Sequence, residues 1–221
     1  MQRASTAATH SWLASVLTAE GAQVLASWPL DGGLQICLLD RVDAAHSEKV
    51  RAHFEGVYPI LDWRPYMSTP ASARVKELQQ SVASRQRLTL GVFDEGEMVG
   101  WSFGWQLSMD STSFYMANSC VVETHRRKGL YQAMLQRVLA LSEEMGFQAL
   151  TSRHLAGNNP ILIAKLKAGF HIVGLELSEV HGSLVHLRYF HNPVRREAYQ
   201  VRTGGERPKH PAVRSLFLED G

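Results

Sequence analysis

The strongest constraint on the fold of this chain lies between Arg87 and Met145, where apolar residues first alternate in twos and then recur in threes and fours. RLTLGVFDE, MVGWSFGWQLSM and TSFYMANSCVV are alternating runs rich in β-branched and aromatic residues, separated by the turn pairs Glu95-Gly96 and Asp110-Ser111. Runs this closely spaced have no room for a crossover, so they read as an antiparallel meander. From about Lys128 to Met145 the period changes to that of a helix. Tyr131, Met134, Leu135, Val138, Leu141 and Met145 share one stripe, and Gly146 supplies the stop.

The flanking segments extend the pattern. AQVLASWPL and LQICLLD are strand-like runs around Asp31-Gly32-Gly33. Val50, Phe54 and Val57 place a helix over 44–57, and Thr69-Pro70 with Val75, Leu78 and Val82 starts a second helix after Ser68. After Gly146 come a short strand (FQALTSRHL), a helix over 160–167 and two strands (FHIVGLEL, SLVHLRYF). A meander followed by strand-helix-strand units predicts an α/β (α+β) fold: a mixed, mostly antiparallel central sheet flanked by helices on both faces. Residues 1–33 read as an N-terminal extension with a hairpin strand, 34–190 as the main domain, and 191–221 as a partly mobile C-terminal tail containing three prolines.

The 221 residues carry 23 basic against 21 acidic side chains, a net charge of +2, with no long block of either sign. That balance argues against nucleic-acid and membrane-surface partners. No apolar run approaches the roughly 18 residues of a spanning helix, and the opening segment is a poor signal peptide. A cytoplasmic protein with a small partner is expected, and a homodimer is compatible with the sequence. Cys37 and Cys120 are the only cysteines, which excludes a disulfide scaffold. They suit two free thiols in a reducing compartment and also one buried bridge. Trp101, Phe103 and Trp105 fall on one strand face opposite Gly100, Ser102 and Gly104. This pattern suits a half-buried sheet with close neighbours, or an aromatic wall for a ligand.

Two segments carry chemistry. In Val121-Val122-Glu123-Thr124-His125-Arg126-Arg127-Lys128-Gly129-Leu130-Tyr131 an apolar strand runs into a helix start. The first amides of a helix lack internal partners, the helix dipole adds positive charge, Gly129 removes a side chain, and three basic residues add full charges. That is an anion site fit for a pyrophosphate, and its plain alternative is a solvated basic turn. In Asn158-Asn159-Pro160 through Gly169-Phe170, Asn159 reads as the N-cap, Pro160 as the first helical residue and Gly169 as a left-handed C-cap. Capping leaves Asn158 unexplained, and its amide can hold a ligand arm rich in amides. The absence of a Gly-x4-Gly-Lys-Ser/Thr run argues against a P-loop nucleotide binder.

Together the two segments resemble the GNAT superfamily of acyl-CoA-dependent N-acyltransferases, in which Arg or Gln is followed by two residues, Gly, one residue, and Gly or Ala. Arg126 and Gly129 match, and Tyr131 departs from that pattern. The family's Asn, some eleven residues before a Gly-Phe pair, is matched by Asn158, Gly169 and Phe170, and the order of elements from Leu34 to Phe190 is similar. The resemblance implies direct transfer of an acyl group, acetyl above all, from acetyl-CoA (coenzyme A) to a primary amine of a small-molecule or peptide acceptor. It implies no metal. The backbone of Val121, Val122 and Glu123 would lie along pantetheine, the turn of Arg126, Arg127, Lys128, Gly129, Leu130 and Tyr131 around pyrophosphate, and Asn158 beside the ligand. An oxyanion donor is expected near Val122, worth about 3–4 kcal/mol in comparable sites. The Tyr131 ring is expected in the core with its N–H toward phosphate.

The catalytic positions are less regular. Lys165 stands where many family members place a tyrosine that protonates the departing thiolate, and otherwise reads as a solvated helix lysine. His154, with an ordinary pKa of about 6.5, is a candidate base beside the thioester, or else a surface-loop histidine. Glu123 and His125 are further candidates that also suit a flank of the phosphate turn. His181, His186 and His191 are spaced to opposite strand faces, which disfavours a metal site, and Cys120 lacks the histidine partner of a nucleophile. The irregular catalytic set also admits a second class of function, a catalytically silent acyl-CoA-binding regulatory or interaction module.

Overall fold

The structure is a computed structural model, which describes residues 22–41, 85–107, 109–179, 181–205 and 207–217, with positions 46, 49 and 52. Apart from those three helical positions, the helices expected over 44–57 and after Ser68 lie outside the described residues. Eight strands, β1 (Val24–Pro29), β2 (Gln35–Leu39), β3 (Arg87–Asp94), β4 (Glu97–Gln106), β5 (Ser113–Val121), β6 (Ala149–Leu155), β7 (His171–Ser178) and β8 (Gly182–Phe190), form one sheet. Its order is β1-β2-β3-β4-β5-β6-β8-β7. The pair β5/β6 is parallel and every other neighbouring pair antiparallel. The helices of the described residues are α1 (Leu130–Glu144), α2 (Asn159–Lys167), α3 (Pro193–Arg202) and α4 (Pro211–Phe217).

Local chemistry explains the main features. The β3–β4 hairpin turns on Glu95 (φ 45°) and Gly96 (φ 91°), the two positive-φ residues that match a tight turn to the strand twist. On β3, Leu88, Leu90 and Val92 point to the face covered by α1, where they meet Met134, Leu135 and Val138. Phe93 points to the other face, packed with Cys37, Met98, Trp101 and Cys120, and the His46 ring meets Phe93 edge-on at 5.7 Å. Both cysteines are buried and neither is in a disulfide; burial pushes their thiols up to about 12 (Cys37) and about 11 (Cys120).

Three expectations need correction. Helix α1 begins at Leu130 rather than Lys128, because Gly129 (φ 76°) is left-handed and cannot continue a helix backwards. Its buried stripe contains Leu139 and Ser142, whereas Met145 lies past its end and is exposed. The N-cap of α2 is Asn158 rather than Asn159. In the described part of the C-terminal tail, which carries α3 and α4, Asn192 caps α3 by accepting from the Val194 and Arg195 N–H groups, Tyr199 donates to Ile172 O, and Val213 is fully buried. The N-terminal hairpin belongs to the same sheet, since β1 pairs with β2 across residues 31–33.

Candidate functional site

Strands β5 and β6 pair only over Ser113–Tyr115 and Ala149–Thr151. The start of that pairing is clamped. Asp110 accepts from the Thr112 and Ser113 hydroxyls at 2.7 and 2.6 Å and from Arg188 Nη2 of β8 at 2.9 Å. These bonds, the Ser113 hydroxyl foremost, hold the Asp110 carboxyl down to about 2. Beyond Tyr115 the strands part. The register of β5 against β4 slips, with Phe103 opposite Asn118 and Gly104 opposite Met116, so Ala117 is the extra residue of a bulge. Gly104 permits this geometry, since a Cβ there would strike Tyr115 O and the Phe114 ring.

A cleft of about 140 Å³ opens where the strands diverge. Tyr115, Met116, Asn118 and Ser119 of β5, Arg153 and His154 of β6, Tyr131 of α1, Asn158, Ile161 and Lys165 of α2, and His181 before β8 line it. The Val122 N–H is bonded to Val99 O at 2.9 Å. Peptide groups alternate along a strand, so those of Ser119 and Val121 face the opposite edge, toward the opening. The oxyanion donor expected near Val122 therefore cannot be the Val122 amide; the Val121 amide points to the other edge, although neither Val121 nor Val122 is among the residues that line the cleft.

The segment after β5 forms the mouth. Arg127 (φ 62°) and Gly129 (φ 76°) are both left-handed, the former in a conformation uncommon for a side-chain-bearing residue. They deliver the chain to α1 with the first helical amides, Leu130 and Tyr131 among them, lacking intrahelical acceptors. Arg126, Arg127 and Lys128 are exposed beside them, and Arg126 Nε donates to Val121 O at 3.1 Å. Glu123 is exposed and does not line the cleft. His125 is engaged elsewhere, with Nε2 2.9 Å from Asp94 Oδ2 and Nδ1 2.9 Å from Thr124 Oγ1.

Lys165 is the largest departure from expectation. It is 1% exposed rather than solvated, with Nζ 3.1 Å from Met116 Sδ and 4.5 Å from the centre of the Phe170 ring. Burial among such soft partners lowers its pKa to about 7. His154 sits on β6 rather than in a loop, with Nε2 3.1 Å from Ser152 Oγ. Burial first, and then the charge of Lys165, lowers it to about 3, far from the ordinary value expected for a base. Asn158 stands at the N-cap of α2 without a side-chain capping bond, and it lines the cleft. The Tyr131 ring packs against the core, while its hydroxyl is buried with no hydrogen-bond partner among the described residues.

Sequence reasoning passed over Met116, Asn118, Ser119 and Arg153. The signal for the first three lay in the run MANS, whose interrupted alternation marks the bulge. Arg153 is held by Tyr115 OH and the Glu176 carboxylate, which also receives His186 at 2.7 Å. Among the described residues no group of three or more His, Cys, Asp or Glu side chains is placed to hold a metal, and no helix is long and apolar enough to cross a membrane. Trp101 is buried and donates to Asn118 Oδ1 at 2.6 Å, so it supports the cleft from behind rather than walling it.

The comparisons with known proteins agree with this geometry. No curated protein matches the sequence. Among solved structures, a GNAT-family protein from Desulfovibrio desulfuricans is similar with a TM-score of 0.53 and 16% identity, over 70% of this chain and 98% of that one. Arabidopsis thaliana NAA60 in complex with acetyl-CoA gives 0.52 and 18% identity, over 71% and 99%. The ribosomal-protein-S18-alanine N-acetyltransferase of Escherichia coli gives 0.50 and 14%, over 71% and 93%. At such identities the likeness establishes the fold. The sequence pattern of the acetyltransferase (GNAT) family matches residues 54–170, more than half of the chain. Sheet, cleft and sequence pattern thus agree, and the chain belongs to the GNAT acetyltransferase family.

Proposed function

We propose that the protein transfers an acetyl group from acetyl-CoA directly to a primary amine of weak basicity, an α-amine above all. The observation that carries this reading is the open edge of β5 leading into the left-handed turn at Arg127 and Gly129 and the free amides of α1. Such an edge matches the amide groups of pantetheine, and a helix start with adjacent basic side chains matches pyrophosphate. The side-chain amide of Asn158, which makes no capping bond, and the buried Tyr131 hydroxyl, unpartnered among the described residues, fit an arm of alternating donors and acceptors. In this reading the backbone of Val121, Val122 and Glu123 borders the arm, with the Val121 N–H facing the oxygen that gains charge. Arg126, Arg127, Lys128, Gly129, Leu130 and Tyr131 surround the phosphates.

The side chains then divide the proton traffic. Lys165, at about 7, is close to half protonated at neutral pH, so its ammonium form can hand a proton to a departing sulfur. His154, at about 3, is neutral but a feeble base, and Glu123 stands outside the cleft. The acceptor amine must therefore arrive largely deprotonated. A lysine-like amine of pKa about 10.4 is neutral in about one part in 2,500 at pH 7, and an α-amine near 8 in about one in ten. That difference favours the α-amine.

Calorimetric titration with acetyl-CoA and free-thiol release across a panel of amines test the proposal. Release should be fastest with peptides and amino compounds offering an α-amine. A side chain at Gly129 is strained by its φ of 76° although the space around it is open, so Gly129→Val should weaken acetyl-CoA binding at least tenfold in a folded protein. Unchanged affinity would remove the turn from the site.

A further inference from the structure

Among the described residues the Tyr131 hydroxyl has no acceptor or donor, although it is shielded from solvent. A buried hydroxyl without a partner destabilises a fold, because the hydrogen bonds it made to water are not replaced. Among the described residues with such an atom, Tyr131 is the only one that lines the cleft. The ring packs against the core from the first turn of α1, and the residue as a whole is only partly buried and lines the cleft. Burial raises its pKa, so it retains its proton and acts as a neutral donor. Across the same cleft the Asn158 side chain makes no capping bond, and among the described residues Lys165 has a thioether and an aromatic ring as partners. The wall is thus better supplied with donors than its own acceptors can use.

We propose that Tyr131 is a ligand-positioning residue whose hydroxyl donates to a carbonyl oxygen of the bound acyl-CoA, either in the pantetheine arm or in the thioester itself. The proposal rests on the acyl-CoA reading of the cleft and adds a side-chain role to a position otherwise read through its backbone amide. It explains why the fold carries an unsatisfied hydroxyl where phenylalanine would pack equally well: the bond is completed by the ligand. Tyr131 is here a binding donor, separate from the proton delivery assigned to Lys165.

Tyr131→Phe removes one oxygen and leaves the ring, so stability and binding should move in opposite directions. The ligand-free variant should melt about 2–4 °C higher than wild type, as expected when a buried orphan is removed. Its affinity for acetyl-CoA should fall roughly three- to tenfold, the worth of one lost hydrogen bond. Titrations with free CoA and with adenosine 3′,5′-bisphosphate locate the acceptor. A loss for acetyl-CoA alone points to the thioester carbonyl, a loss for acetyl-CoA and CoA to the pantetheine arm, and the bisphosphate should bind both proteins equally. A variant that binds acetyl-CoA like wild type, or that melts lower, would overturn the proposal while leaving the acyl-CoA reading standing. A wild-type protein that fails to bind acetyl-CoA would overturn both.

Discussion

Lys165 shows how one side chain can tie a helix end, a cleft and a pH response together. The end of α2 is built by two bonds, Phe170 N–H to Lys165 O at 3.0 Å and Gly169 N–H to Leu166 O at 3.0 Å, with Gly169 at φ 93°. This arrangement normally brings two apolar side chains together across the turn. Here the pair is Lys165 and Phe170, so capping the helix places the amine over a ring and inside the cleft. Because the folded pKa lies near 7 and the unfolded one near 10.5, the unfolded chain binds more protons between those values. Stability should therefore fall as the pH drops from about 10 to 7 and level off below. Lys165→Met should abolish that slope and be more stable than wild type at pH 7, as measured by denaturant titration, while kcat falls about 100-fold through loss of the proton donor. A kcat unchanged at all pH values would exclude Lys165 from proton transfer. His154 has the same sign in a lower window: its folded pKa near 3 against 6.5 costs stability as the pH falls through that interval.

At the scale of elements, the site is made by one bulge and one short parallel pairing. Gly104 lets β4 approach β5 where Ala117 is extruded, and the clamp at Asp110 holds the opposite end of β5 against β6 and β8. Gly104→Ala should cost about 1–3 kcal/mol as an overpacking change against backbone that cannot rotate away. Because the strain falls on Tyr115 and Phe114, at the vertex of the cleft, acetyl-CoA affinity should drop with the melting temperature. A variant with native stability and affinity would show that the bulge has slack. The same distinction explains what was legible in the sequence. The turn from Arg126 to Tyr131 and the helix over 160–167 are specified by local signals, namely Gly129, Pro160, Gly169 and hydrophobic period, and each appears within two residues of its expected place. The burial of Lys165, the low pKa of His154 and the orphan hydroxyl of Tyr131 depend on groups brought together from β5, β6, α1 and α2. A lysine on a helix of mixed polarity carries no local mark that a bulged strand will enclose it beside Met116, 49 residues away.

At the scale of the molecule, the docked tail supports the sheet without lining the described cleft. The Tyr199 ring packs against Phe190 and His171 at 5.5 Å from each, and Glu197 Oε1 accepts from the Lys209 and His210 N–H groups, which draws α4 back onto α3. Val213 is fully buried in α4, and Arg202 lies 5.4 Å from the Phe217 ring. Val213→Asp would place a carboxylate in that contact, a change that costs several kcal/mol if the helix stays docked. The helix has a cheaper course, because a seven-residue segment at the end of the described chain can detach, and the penalty cannot exceed the free energy that holds it in place. The expected result is therefore faster proteolysis and amide exchange confined to α4 and the end of α3, a fall of a few degrees in melting temperature, and acetyl-CoA affinity close to wild type. Loss of binding in proportion to exposure of α4 would instead mean that the tail sets the geometry of β7 and β8, and through them the spacing of the cleft walls.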